Sequence, residues 1–333
     1  MTATAAQTMT YSQAINRAMD DAMAADAEVF ILGEDVADEQ SGGVFKATLG
    51  LSAKYGTHRV RSTPIAEQAI VGAAVGAAIA GMRPIAEVML MNFIAVCMDQ
   101  VSNHAAKMRF STSGQTPCPL TIRTTSGPGV NFGPQHSDLL EAWLAHTPGL
   151  KVVMPSSPQT AYSLLRSCID DDDPCVFIES TPLYWLGCEG PPIDPGFRLP
   201  IGKALVEREG DRVTVISYGR TMTDVRTAAD LLAGEGIRVE VIDLCSLSPL
   251  DTDTVLASVA KTRRAVIAHD SVEAFGIGAE LSARIHENLF DELAAPVHRV
   301  GAEYAPVPYS SALERHYLVG QDRIVNAIRA ALT

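Results

Sequence analysis

The sequence predicts an α/β protein of two domains, each a largely parallel sheet flanked by helices, and three observations carry that expectation. The chain has 333 residues, more than the roughly 250–300 at which a single core stops growing. Short apolar, β-branched runs alternate with stretches of helical periodicity along nearly the whole length, the order a parallel sheet requires because each crossover needs a helix. Residues 188–202 contain Pro191, Pro192, Pro195 and Pro200 and show no periodicity, as expected of a linker. The expected division is a first domain over 8–187, the linker over 188–202 and a second domain over 203–333.

Taken in order, Ile15, Ala18, Met19 and Met23 fall at helical spacing over residues 11–25, and Val29–Leu32 reads as a buried strand ended by Gly33-Glu34-Asp35. Thr63 can cap a helix and Pro64 suits its first position, so the spacing predicts a helix from residue 63. Its apolar part, 69–82, spans ~14 residues, fewer than the ~20 that cross a bilayer, and is expected to be buried. Gly72 and Gly76 within it allow close approach of another backbone, which suits a subunit interface. A strand over 85–90, an amphipathic helix over 95–109 and a strand over 119–123 follow.

Residues 124–137 are rich in Gly, Pro, Ser and Asn, a loop of a length that compact domains keep mainly for function, with His136 near its end. Strands at 152–154 and 176–178 flank a helix over 158–169. The second half repeats the rhythm with strands at 213–217, 239–243 and 265–268 and helices near 224–234 and 278–293.

Composition narrows the partners. Hydrophobic residues make up 47% and charged residues 20%, a globular balance. The formal charge of −13, from 39 acidic and 26 basic residues, argues against nucleic acid and anionic membrane, both polyanions, and suits a basic protein partner. Six cysteines (97, 118, 168, 175, 188 and 245) lack CxxC spacing and read as free thiols of a reducing compartment. Residues 1–9 show no basic patch followed by an apolar core, so the expected location is cytoplasmic. GxGxxG, GxxxxGK[ST], GDG followed by Asn, HExxH and GxSxG are all missing from the sequence; Gly276-Ile277-Gly278 lacks a third glycine and reads as a turn.

Nine segments in order carry a resemblance: Ile31-Leu32-Gly33-Glu34-Asp35-Val36, Gly42-Gly43-Val44-Phe45, Thr63-Pro64-Ile65-Ala66-Glu67, Met98-Asp99-Gln100, Ala105-Ala106-Lys107, Gln135-His136-Ser137, Pro148-Gly149-Leu150-Lys151-Val152-Val153, Asp172-Asp173-Pro174 and Leu247-Ser248-Pro249-Leu250-Asp251. Over nearly its whole length the chain resembles the beta subunit of the thiamine-diphosphate-dependent, decarboxylating first component of 2-oxo-acid dehydrogenase complexes, of the pyruvate, acetoin and branched-chain types. The resemblance implies a transketolase-like pyrimidine-binding domain followed by a transketolase C-terminal domain. It also implies an alpha-two, beta-two heterotetramer in which the alpha subunit holds most of the diphosphate and its magnesium, which would account for the missing phosphate cradle.

The same resemblance assigns roles. Glu67 takes the place of the cofactor-activating glutamate, whose carboxylate bonds a pyrimidine nitrogen and favours the imino tautomer that removes the thiazolium C2 proton. By itself Glu67 would equally complement a helix dipole, an effect of ~0.3–1 kcal/mol. His136 matches a histidine that donates to developing oxyanions and helps transfer the acyl group to a lipoyl arm; a loop histidine is otherwise solvated. Phe93 and Ile65 match residues that stack on and brace the pyrimidine, and are otherwise ordinary core residues. Glu34 stands near the site's mouth, or is a solvated strand-end carboxylate. Leu120, Cys168, Ile169, Asp171 and Asp173 match positions that hold potassium in several relatives, or form a solvated aspartate loop. Met89, where branched-chain enzymes tend to have Gln, begins the run Met89-Leu90-Met91-Asn92-Phe93 that resembles the pyruvate and acetoin types; pyruvate is the preferred substrate, with acetoin and branched-chain 2-oxo acids as alternatives. A specialised acyl-transfer relative, a non-catalytic scaffold and the detached C-terminal half of a transketolase-like or deoxyxylulose-phosphate-synthase-like enzyme are the remaining readings. A dihydrolipoyl acyltransferase core is the implied second partner, with Glu280, Glu287, Asp291 and Glu292 offering it an acidic surface.

Overall fold

The computed structural model describes residues 9–185 and 193–333. Cys188 and residues 188–192 of the expected linker lie outside the described residues. Two sheets organise the chain. The first is assembled from β1 (Val29–Glu34), β2 (Val60–Thr63), β3 (Arg83–Leu90), β4 (Thr121–Ser126), β5 (Lys151–Val153) and β6 (Cys175–Ser180). The second comprises β7 (Leu205–Arg208), β8 (Val213–Ser217), β9 (Val239–Asp243), β11 (Ala265–Val272) and β12 (His298–Ala302), while β10 (Ser246–Ser248) belongs to the first. The strand orders are β10-β5-β6-β4-β3-β1-β2 and β12-β11-β8-β9-β7. Pairing is parallel except at β10 with β5 and β7 with β9.

The central strands β1, β6, β8 and β9 are buried almost end to end because helices cover both sides. In β1, Ile31 aligns with Val60 on one side and Ile85 on the other, and all three are fully buried. Helix Tyr11–Ala25 starts at a capping box in which Thr10 and Gln13 satisfy each other's backbone N–H. It packs against helix Pro158–Asp170, with Tyr162 donating to Asp21 across the contact at 2.8 Å.

Three expectations need correcting. The helix expected from Thr63 begins at Glu67: Thr63 pairs with Glu34 as the last residue of β2, so ladder pairing overrides a local cap signal. That helix, Glu67–Ile79, is not buried all round, since Ala69, Ala73, Gly76 and Ile79 lie exposed along one side. An evenly apolar sequence gives no hint of which side stays bare. Residues 95–109 do not form one regular helix but successive turns, Ile94–Asp99, a π-helical Gln100–Ala105 and Met108–Ser111.

The chain leaves the second sheet at Asp243, lends three residues to the first sheet as β10, and returns. The core is continuous across this crossing, with Leu150, Val152 and Met154 in one cluster with Tyr218, Ile242, Leu244 and Leu247. Asp243 is completely buried there, accepting from Ser156 Oγ and from the Cys245 N–H at 3.2 Å. Burial, then the charge of Glu207, pushes its carboxyl up to about 6. Because the folded value lies above the unfolded one, Asp243 favours folding below the unfolded value of about 3.9, and that contribution is lost as pH rises through about 6. Asp243→Asn is therefore expected to raise stability at pH 8 by on the order of 2 kcal/mol and to change it little near pH 4. Urea titrations at the two values check this, and equal stability of parent and variant at pH 8 would refute it.

Candidate active site

The C-terminal ends of β1, β2, β3 and β4 open on one side of the first sheet, where α/β sheets generally bind ligands. Gly33 lets β1 lie close to β3, since an added Cβ would meet Glu87 Cβ at 2.9 Å. Glu34 follows at the strand end. After β2, Pro64 and Ile65 turn the chain into the helix whose first residue is Glu67. Met89 and Leu90 close β3, and a single turn, Met91–Phe93, follows. From the end of β4 a long loop crosses to His136, and Asn92 ties its far end by donating to Asp138 at 2.9 Å and to the Pro134 carbonyl at 3.3 Å.

These segments surround a cavity of about 640 Å³ lined by Glu34, Val44, Phe45, Ile65, Glu67, Met89, Leu90, Phe93, Phe132, His136 and Tyr309. Glu34, Ile65, Glu67, Met89, Phe93 and His136 are thus brought together. Phe93 and His136 meet edge to face with ring centroids 5.6 Å apart. Burial pushes the Glu34 carboxyl up, and the neighbouring charges of Asp35 and Glu67 add to the effect. Glu67 is half-buried, and among the described residues its carboxylate takes part in no hydrogen bond or ion pair. His136 Nδ1 is likewise buried without a partner.

Aromatic and aliphatic walls around a carboxylate with unused lone pairs fit a flat heteroaromatic ring that offers a donor nitrogen. The residues present therefore fit the pyrimidine of thiamine diphosphate. Among the described residues no group of three or more His, Cys, Asp or Glu is placed to hold a metal ion, so the fit concerns the ring and not the magnesium diphosphate. Phe132 and Tyr309 were not foreseen. Tyr309 comes from the second domain, and no local pattern marks it.

Leu120, Cys168, Ile169, Asp171 and Asp173 lie elsewhere, around the start of β4 and the end of helix Pro158–Asp170. Their carbonyls already have donors: Cys175 N–H on Leu120 at 2.9 Å and Asp171 N–H on Cys168 at 3.3 Å. Arg83 donates to the carbonyls of Ile169 and Asp171, each at 3.1 Å. Lys151 holds the Asp171 carboxylate at 2.6 Å and Arg109 holds that of Asp173. The positive charges of Arg83, Lys151 and Arg109 thus already lie on this oxygen set.

Residues 7–185 match the transketolase pyrimidine-binding domain and residues 202–324 the transketolase C-terminal domain. The chain is 43% identical over 329 residues to pyruvate dehydrogenase E1 component subunit beta-2, mitochondrial, of Oryza sativa subsp. japonica, covering 98% of this chain and 87% of that protein. It belongs to the transketolase-like family of 2-oxo-acid dehydrogenase E1 beta subunits. Within that family it is also 40% identical over 322 residues to 2-oxoisovalerate dehydrogenase subunit beta of Bacillus subtilis (strain 168), with 96% and 98% covered. A split-gene transketolase solved as an inactive beta4 tetramer shares the fold, with TM-score 0.76 at 22% identity and 98% and 99% of the two chains covered. No helix among the described residues is long and apolar enough to cross a membrane.

Proposed function

We propose that this chain is the beta subunit of a pyruvate dehydrogenase-type enzyme, carrying out thiamine-diphosphate-dependent oxidative decarboxylation of a 2-oxo acid and passing the acyl group to the lipoyl arm of a dihydrolipoyl acyltransferase. The observation that carries this reading is the unpartnered Glu67 carboxylate in an aromatic-walled cavity with His136 on the opposing loop. Thiamine diphosphate, when bound, supplies an acidic thiazolium carbon and an electron sink for the decarboxylation. Glu67 would hold a proton between its oxygen and the ring nitrogen; Phe93 and Ile65 would orient the ring, and the apolar lining would exclude water. His136, with one ring nitrogen unused inside, would donate to an oxygen that gains charge. Glu34, whose carboxyl is already pushed up, would stand beside the ring at the mouth of the cavity.

The alpha subunit is the proposed partner for the diphosphate and its magnesium. The exposed side of helix Glu67–Ile79, with Gly76 and Ile79, runs from the active site and supplies an apolar, small-residue surface for a neighbouring subunit. Glu280, Glu287, Asp291 and Glu292 are exposed on and beyond helix Ile277–Leu289, and we assign the acyltransferase contact to that face. The two domains of 8–187 and 203–333, a reducing cytoplasmic location and a potassium ion at the Leu120–Asp173 corner complete the reading. Buried free thiols at Cys97, Cys118, Cys168, Cys175 and Cys245 support the compartment.

Co-expression with the alpha subunit tests it. The chain alone is expected to be inactive, and the assembly is expected to decarboxylate pyruvate at least ~10-fold faster than branched-chain 2-oxo acids, since one methylene in a pocket is worth 10-fold or more. It should acylate a lipoyl domain and melt higher in potassium than in choline chloride. Preference for a branched 2-oxo acid would shift the assignment to the 2-oxoisovalerate type, and failure across a broad panel would favour a scaffold subunit.

A further inference from the structure

The loop that carries His136 is shaped by the second domain. Residues 127, 129, 131 and 133 all have positive φ, at 111°, 118°, 58° and 75°. Three are glycines, for which this costs nothing, and the fourth is Asn131, a residue type that tolerates it. Such alternation turns successive backbone N–H groups to one side and creates a concave anion-binding nest. The anion in this nest is a side chain of the protein itself. Glu314, on helix Ser311–Tyr317 of the second domain, accepts from Gly129 N–H at 2.8 Å through Oε1 and from Asn131 N–H at 3.2 and 3.0 Å through its two oxygens. Glu314 is only 3% exposed, and these amides are the hydrogen-bond partners of its carboxylate among the described residues. It does not line the active-site cavity.

Tyr309 makes a second pin. Its ring lies so close to Gly133 that an added Cβ there would meet it at 2.2 Å. Between the two pins Phe132 is delivered into the cavity, and from Gly133 the backbone carbonyl accepts the N–H of His136 at 3.3 Å. The path from Glu314 to the imidazole is therefore short and continuous.

We infer that Glu314 is a positioning residue for the candidate active site: its buried carboxylate fills the nest at 129–131 and so fixes where His136 and Phe132 stand. The inference rests on the reading that His136 acts on substrate, but the clamp itself is read without any turnover.

The experiment uses the chain assembled with its alpha subunit and compares parent, Glu314→Gln and Glu314→Asp. Hydrogen–deuterium exchange of the segment 127–137 is followed together with kcat and KM for the 2-oxo acid. In Glu314→Gln, exchange of the loop is expected to rise roughly ten- to a hundredfold, because charge-assisted hydrogen bonds to buried amides are lost. Turnover is expected to drop roughly ten- to a hundredfold with KM changed far less, as for a displaced catalytic group. Glu314→Asp keeps the charge and is expected to lie between the two, and it serves alone if the glutamine variant fails to assemble. Parental exchange rates in both variants overturn the inference, as does a loosened loop with parental kcat. A His136→Ala enzyme with normal turnover would instead sink the catalytic reading of that histidine and leave the clamp standing.

Discussion

Glu67→Gln is expected to lower decarboxylation by about 10²- to 10⁴-fold, the range over which a positioned acid–base group acts, while leaving the fold intact. The side chain is half-buried and has no hydrogen-bonding or ionic partner among the described residues, so only its interaction with the helix dipole is lost and stability should move by no more than about 1 kcal/mol. A glutamine of nearly the same shape cannot supply the charge that strengthens a bond to a protonated ring nitrogen. Removing that charge also relieves Glu34, whose carboxyl Glu67 helps to push up. The measurement is deuterium exchange at the thiazolium C2 position in the assembled enzyme, beside turnover and melting temperature. Near-parental C2 exchange would remove Glu67 from the chemistry; a large drop in melting temperature would recast it as a structural residue.

The second large effect is expected at Arg123, beneath the cavity. Its guanidinium is fully buried in β4, forked onto Glu179 at 2.7 and 2.9 Å and bonded to Glu87 at 2.6 Å. Tyr184 donates to the same Glu179, and Phe45, which lines the cavity, stacks on Tyr184. Burial already pushes the Glu179 carboxyl up, and the nearby Arg123 charge opposes this. Arg123→Leu would leave two buried carboxylates facing each other, which typically costs 3–5 kcal/mol. The loss should be larger at pH 8 than at pH 5, because Glu179, which burial already pushes up, takes up a proton more readily once the opposing guanidinium is gone, and protonation lowers the cost of burying it. Chemical denaturation at the two pH values decides it, and a destabilisation under ~1 kcal/mol at pH 8 would show that the site hydrates or rearranges. Adding Glu179→Gln to Arg123→Leu should recover part of the loss.

Central strands such as that over Val29–Leu32 were legible because their runs are apolar throughout, as a strand covered on both faces tends to be, whereas β2, β7, β10 and β12, short or polar and at or near sheet edges, gave no such signal. Glu67 and His136 were legible because each sits in a short run that resembles the family, and Ile65, Met89 and Phe93 came with them. What stayed hidden depends on distance along the chain. Glu314 acts on Gly129 across 185 positions, and Tyr309 enters a cavity otherwise built from the first domain. Neither has a sequence neighbour that hints at its destination. Thr63 was misread for a related reason, since cap and strand end look alike locally and only the partner Glu34 distinguishes them. Arg123, Glu87 and Glu179 break an apolar pattern in three separate strands, and only the sheet order β6-β4-β3 shows that the three interruptions are one feature.

The three residues of β10 have a consequence for how the polypeptide can be divided. Strand β5 pairs with β6 on one side and β10 on the other, so a fragment ending near residue 200 would present β5 as a bare margin with unmatched amides, a template for self-association. The complementary fragment would carry an orphan tongue with nothing to dock on. Neither piece is self-sufficient, and during synthesis the amino-terminal half must wait, its flank open, until residue 248 has emerged.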